Sequence, residues 1–229
     1  MKMTVKARKE CKKWKFRGLA VFLSGILLII MGFFLHGLLI YLGVGLIVIS
    51  SYPFKKFETW QRGAEGEEEV MEELESLGPE YEVFHDLVLP EESQNIDHVV
   101  VRKNGIFVLE TKNLDGVIRC EGDSWTRTKT GRKGTTYEGH IGSPSKQVKG
   151  NAVRLKNFLK KELPEIFEDR NIFFQGVVVF TNRDAKLQIS NPTVLITRTH
   201  NLIETIRKEM QEIFKIEEIE KIARVLEKL

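Results

Sequence analysis

The stretch IDHVVVRKNGIFVLETK, residues 96–112, holds two apolar runs joined by a short link that ends in Asn104-Gly105. Two such runs around an Asn-Gly turn read as a β-hairpin, and every other expectation is built outward from it. Along the second run Glu110 and Lys112 occupy alternate positions, so they share one face of the strand while Thr111 points to the other. A carboxylate and an ammonium at the end of an apolar strand must be paired or must bind something. Pairing about Asn104-Gly105 brings Asp97, at the opening of the first strand, close to the end of the second. Two carboxylates then converge with a lysine beside them.

Upstream, residues 60–77 carry Ala64, Val70, Met71, Leu74 and Leu77 among many glutamates and end at Gly78-Pro79, which predicts an amphipathic helix. YEVFHDLVL, residues 81–89, reads as a strand closed by Pro90. Downstream, GVIRCEG and SWTRTKT are shorter strands divided by Gly122-Asp123, and residues 126–143 read as an exposed loop of basic character. A helix is expected over residues 144–163, with Val148, Ala152, Leu155 and Leu159 on one face. IFFQGVVVF, residues 172–180, is apolar almost throughout, as a strand covered on both faces must be. TVLITRT reads as a further strand, and the chain from Leu202 onward as helical. This order predicts an α/β fold with a mixed central sheet flanked by helices.

The N-terminal part differs in kind. From Gly18 to Tyr52, 35 residues, there is no Asp, Glu, Lys or Arg. One membrane span needs only about 20 residues, so the run divides at His36-Gly37 into two apolar halves, 18–35 and 38–52, that read as a two-helix membrane hairpin. Residues 1–17 hold eight basic residues against Glu10, a local charge of +7. With +3 overall, residues 53–229 therefore carry −4, and nothing in that balance describes a basic domain that coats nucleic acid. Lys55, Lys56 and Arg62 follow the second half, so both flanks are basic and both termini are expected on the cytoplasmic face of a multi-pass cell-membrane protein. The span holds no charged group that could serve transport, so its expected role is to anchor. Its glycines, Gly25, Gly32, Gly37, Gly43 and Gly45, are read as ordinary for a membrane helix, with close helix contact as the alternative. Cys11 and Cys120 lie in unrelated contexts and suit a reducing compartment.

Asp97 and Glu110 suit a hard divalent cation, Mg²⁺ or Mn²⁺, which takes oxygen ligands and leaves room for a substrate phosphate. Lys112 would then orient the attacking water or stabilise the transition state, and Glu67 is a candidate third carboxylate. Arg127, Lys129, Arg132 and Lys133, with Trp125 nearby, form a candidate phosphate-contacting flap, a solvated hairpin being the plainer alternative. His98 is adjacent to Asp97 and so faces the other way, packed on the back of the sheet.

Four ordered blocks carry a resemblance: GAEGEEEV (63–70), NIDHVVV (95–101), GIFVLETKNLDG (105–116) and SPSKQV (143–148). Together they resemble the NERD domain, the nuclease-related domain, over residues 60–181. The resemblance implies a restriction-endonuclease-like fold of the PD-(D/E)xK superfamily. It implies that Asp97 and Glu110 hold metal, that Lys112 is the catalytic lysine, that Glu67 is the helix-borne glutamate, and that Gln147 is the glutamine of the following helix. Ile96 stands where the superfamily name has proline, and Ser143-Pro144 where the family often has Asn-Pro. The expected organisation is a basic tail (1–17), a membrane hairpin (18–52), the nuclease-like domain (60–181), and a C-terminal strand and helices (182–229) that pack on or extend it. The expected activity is metal-dependent hydrolysis of phosphodiester bonds, of DNA, at the membrane, and a homodimer would suit cutting two strands. The alternative is the same fold without turnover, binding nucleic acid or a protein partner, a reading that the −4 charge favours. Fold alone does not decide between them.

Overall fold

The computed structural model describes residues 5–90, 94–131, 134–168, 170, 172, 174–208 and 212–229. The chain divides into two compact units, Met1–Glu68 and Glu69–Leu229.

The N-terminal unit is built on α1 (Val5–Phe34) and on α2 (Leu38–Leu74), which continues beyond it. Both helices are long and apolar enough to cross a membrane. Their apolar side chains face outward, with Phe33, Phe34, Leu38 and Tyr41 all strongly exposed, an arrangement that water would penalise. Three of the five glycines are steric requirements of the hairpin rather than incidental. A Cβ on Gly25 would lie 2.8 Å from the Gly43 carbonyl oxygen, and one on Gly43 would lie 2.5 Å from that of Gly25. One on Gly32 would meet Ile40 at 2.5 Å, whereas Gly37 and Gly45 have open space. The two backbones thus touch where side chains are missing. The helix expected to start near residue 60 is also not separate: α2 runs unbroken through Pro53 from the apolar stretch into the glutamate-rich one.

The second unit contains two mixed sheets where one was expected. The strands are β1 (Glu82–Val88), β2 (Asn95–Arg102), β3 (Gly105–Lys112), β4 (Val117–Glu121), β5 (Ser124–Thr130), β6 (Thr136–His140), β7 (Phe174–Phe180), β8 (Lys186–Ser190) and β9 (Leu195–Arg198). The first sheet has the order β1-β2-β3-β7-β9 and the second β6-β5-β4-β8. β6 corrects the loop expected over 126–143, and β8 was not foreseen. Every residue of β6 is exposed, so it shows no apolar alternation, whereas β8 does alternate, with Leu187 and Ile189 half-buried between exposed Lys186, Gln188 and Ser190, but over only five residues. The expected hairpin forms with Arg102 opposite Gly105 and His98 opposite Leu109, and β3 runs parallel to the buried β7.

Helices α3 (Pro144–Glu162), α4 (Pro164–Phe167), α5 (Leu202–Arg207) and α6 (Ile216–Leu226) complete the unit. On one face of the first sheet Ile106, Val108, Val178 and Phe180 pack with Val148, Leu155 and Leu159 of α3 and with Ile118 and Trp125 of the second sheet. On the other face Phe107, Leu109, Val177 and Val179 pack with Val70 and Leu74 of α2 and with Leu202 and Ile206 of α5. Trp125 stacks on Phe180 at 5.9 Å between centroids, and its indole N–H donates to Ser145 Oγ at 2.8 Å, tying the second sheet to the start of α3. Lys149 of α3 reinforces this by an ion pair of 2.6 Å with Asp123 in the β4–β5 turn.

Gly43→Leu is expected to destabilise the hairpin by about 1–3 kcal/mol through overpacking, while Gly45→Leu leaves it unchanged, as read by thermal unfolding of the full chain in detergent. Hydrogen bonds from Lys149 and Thr193 hold the Asp123 carboxyl down at about 2. Because its folded value is depressed, the stability it contributes is complete above about pH 4 and is lost as pH falls toward 2. A Lys149→Met chain should lack that acid-side loss when melting temperature is followed against pH.

Candidate active site

The β2–β3 ladder stops one pair before the site. His98 and Leu109 are the last registered partners, and continuing the register by one residue sets Asp97 opposite Glu110, on the same face of the sheet. Instead of backbone pairing there, the Asp97 carboxylate accepts the Thr111 N–H at 2.8 Å. The β1–β2 ladder is interrupted at the same level: its registered pairs skip from His85–His98 to Leu87–Ile96, and the intervening Asp86 has a φ of 54°. A left-handed aspartate within a strand is uncommon, and its carboxylate is held by the Asn95 side-chain amide at 2.6 Å. Asp97 therefore projects from a local break in the sheet, the kind of irregularity that re-aims a side chain next to a site.

Beyond the break, β3 pairs only with β7, and its two charged residues face α3. Glu110 is 2% exposed. Its Oε1 accepts from Lys112 Nζ, and the same ammonium lies 3.3 Å from Gln147 Oε1. Gln147 stands in the first turn of α3, whose position is set by Pro144 at its start and by the Ser143 hydroxyl accepting the Lys146 N–H at 3.2 Å. A buried carboxylate needs this compensation, since desolvation of an isolated charge is prohibitive. The result is one lysine fixed between a carboxylate and an amide oxygen, with a second carboxylate at the facing position.

The other candidates are placed differently. Glu67 lies on α2 in the N-terminal unit. Arg127 and Lys129 lie on β5, and both pair with Asp115, the lysine at 3.0 Å. Asp115 is brought to them by Gly116, whose φ of 85° turns the chain so that Val117 pairs with Thr128. Arg132 and Lys133 lie outside the described residues. His98 is fully buried, its ring nitrogen 2.7 Å from that of His85, and burial and then the neighbouring imidazole push it down to about 3, which leaves it neutral on the far face of the sheet. Among the described residues no three His, Cys, Asp or Glu side chains gather at one point. The Asp97 and Glu110 carboxylates are oxygen donors of the kind a hard divalent cation takes. Residue spacing did not reveal the Thr111 N–H or the backbone of Asp86 as parts of this arrangement; the single signal was an aspartate inside an otherwise strand-like run.

Residues 62–181, just over half of the chain, match the family model of the nuclease-related domain. The chain belongs to that family. All four residues around the β3 end, Asp97, Glu110, Lys112 and Gln147, fall within the matched nuclease-related domain. An uncharacterized protein of Bacillus anthracis is 38% identical over 77 residues, which are 32% of this chain and 36% of that protein, so the chain spans about a third of its relative's length. No solved structure matches.

Breaking the Glu110–Lys112 pair on one side is expected to cost about 1–3 kcal/mol, because the carboxylate remains buried. Lys112→Met alone should therefore lower the unfolding midpoint more than Lys112→Met combined with Glu110→Gln.

Proposed function

We propose that this protein is a membrane-anchored, Mg²⁺- or Mn²⁺-dependent nuclease that hydrolyses phosphodiester bonds of DNA on the cytoplasmic side. The observation that carries this reading is the lysine held between Glu110 and Gln147, with Asp97 at the facing position of the neighbouring strand. Asp97 and Glu110 would hold the metal. A bound divalent cation neutralises charge at the phosphate and acidifies a water, which is the chemistry that phosphodiester hydrolysis requires.

The chain's own groups account for the rest. Asp97 is kept in place by the Thr111 N–H, so it need not reorganise when substrate arrives. Lys112, with one N–H on Glu110 and one toward Gln147, directs its third to the attacking water or to an oxygen that gains negative charge as the ester bond breaks. Gln147 restricts the lysine to one side of the carboxylate and acts through it as a positioning residue.

The anchor reading is supported at the base of the hairpin. Trp14 of α1 and Tyr52 of α2 meet edge to face at 6.2 Å. Lys13 and Arg17 lie over the Trp14 ring at 5.8 and 5.3 Å, and Lys56 over Tyr52 at 5.9 Å. Aromatic rings with basic partners at one level of both helices are what a membrane–water interface selects, and basic residues at both flanks favour the cytoplasmic side.

The full chain in detergent should cut plasmid or single-stranded DNA with Mg²⁺ or Mn²⁺ and not with EDTA, and Asp97→Ala and Lys112→Ala should each lower the rate by roughly 100-fold or more. Cutting that survives both substitutions would remove the assignment. DNA binding without cutting by the unaltered chain would leave a binding module.

A further inference from the structure

A groove of about 780 Å³ lies at the ends of β7 and β9, on the part of the sheet covered by the end of α2. One wall is acidic, formed by Glu69, Glu72 and Glu73 of α2. The opposite wall is basic, formed by Arg183, Arg198 and His200 just past the two strands. Among the described residues Arg183 enters no ion pair, and Arg198 spends N–H bonds on the carbonyl oxygens of Asn182 and Ala185, which leave its charge uncompensated. Arg127 and Lys129, by contrast, share the Asp115 carboxylate. Between the walls stand Thr181 and Thr199, 5% and 6% exposed, whose hydroxyl oxygens are buried and have no hydrogen-bond partner among the described residues. Buried hydroxyls are normally satisfied, so two of them lining one groove mark a place where a polar ligand completes the bonding.

The groove lies at the ends of the same strands as the candidate active site, on the opposite face of the sheet. Phe180, which lines it, is the register partner of Lys112 on one side and of Arg198 on the other, and the Thr181 N–H donates to the Lys112 carbonyl at 3.2 Å. The Lys112 side chain faces α3 and the groove faces α2, so a ligand that reaches both must bend over the ends of the strands.

We infer that this groove is a track for one single strand of nucleic acid leading to the cleavage site; the inference rests on the nuclease reading given above. A single strand can turn its phosphates to Arg183, Arg198 and His200 and its base N–H groups to the glutamates, and it is flexible enough to cross the edge. A duplex carries phosphates along both of its sides and bends at considerable cost, so the acidic wall repels it.

The test is fluorescence anisotropy with the full chain in detergent and EDTA, using a labelled 12-nucleotide single strand and the duplex of the same sequence. The single strand is expected to bind at least about 10-fold more tightly. Arg183→Gln should weaken it roughly 5- to 10-fold and lower the slope against log salt by about one. Glu72→Gln with Glu73→Gln should narrow the preference by improving duplex binding, and Thr181→Val with Thr199→Val should weaken the single strand while leaving thermal unfolding intact. Equal affinity for both forms, a preference unmoved by these substitutions, or full competition by a free mononucleotide would overturn the proposal. The nuclease reading fails separately: single-strand binding lost in Arg183→Gln with no metal-dependent cutting leaves the track standing, whereas cutting of duplex alone removes the track and leaves the nuclease.

Discussion

The bond from the Thr111 N–H to the Asp97 carboxylate is the constraint from which the site's geometry follows. In an unbroken antiparallel ladder that N–H, or its neighbour, would pair with backbone, and β2 and β3 would continue together to their ends. Here a side-chain oxygen takes the donor at 2.8 Å and the strands part. The donor stays satisfied, so the divergence does not carry the full cost of an orphaned buried amide. It also holds one carboxylate against the strand that carries the other. Glu110 and Lys112 are held by β7 on one side and by the first turn of α3 through Gln147.

Position is thus divided among three elements that would be separate in the unfolded chain. β2 supplies Asp97, β3 supplies Glu110 and Lys112, and α3 supplies Gln147. Two devices fix the start of α3 against the sheets, the Trp125–Ser145 hydrogen bond and the Asp123–Lys149 pair, and neither touches the candidate chemistry. Their effect is to keep Gln147 within reach of the lysine, which is how second-sheet residues come to matter for a site built on the first.

Much of this was legible before any coordinates. The Asn-Gly turn and the alternation of Glu110 and Lys112 placed both carboxylates and the lysine, because register and period follow from backbone geometry that any strand shares. The buried β7 and the apolar face of α3 were legible for the same reason. The second sheet was only partly so: β6 is exposed throughout, where burial writes no pattern, and β8 has just two apolar residues, Leu187 and Ile189, to carry its alternation. The continuity of α2 was hidden by Pro53 and by the abrupt change from apolar to acidic composition, both of which imitate a boundary. The pairing of Arg127 and Lys129 with Asp115 depends on the turn at Gly116 and on cross-strand registry, which charge counting along the chain does not see. The reciprocal contact of Gly25 and Gly43 was open in the sequence and is decided by which helix faces meet.

The parallel pairing of β3 with β7 has a bearing on the order in which the molecule assembles. β1, β2 and β3 form a meander of near neighbours, but β3 must wait for Phe174–Phe180, with the second sheet's hairpin and α3 intervening, before its far edge is covered. Non-local parallel pairing is slow because the loop must close before the contact rewards it. During synthesis, therefore, Asp97, Glu110 and Lys112 emerge early on a half-covered sheet, and the environment that fixes them arrives late. The strand that completes the surroundings of these three side chains is one that contributes none of them.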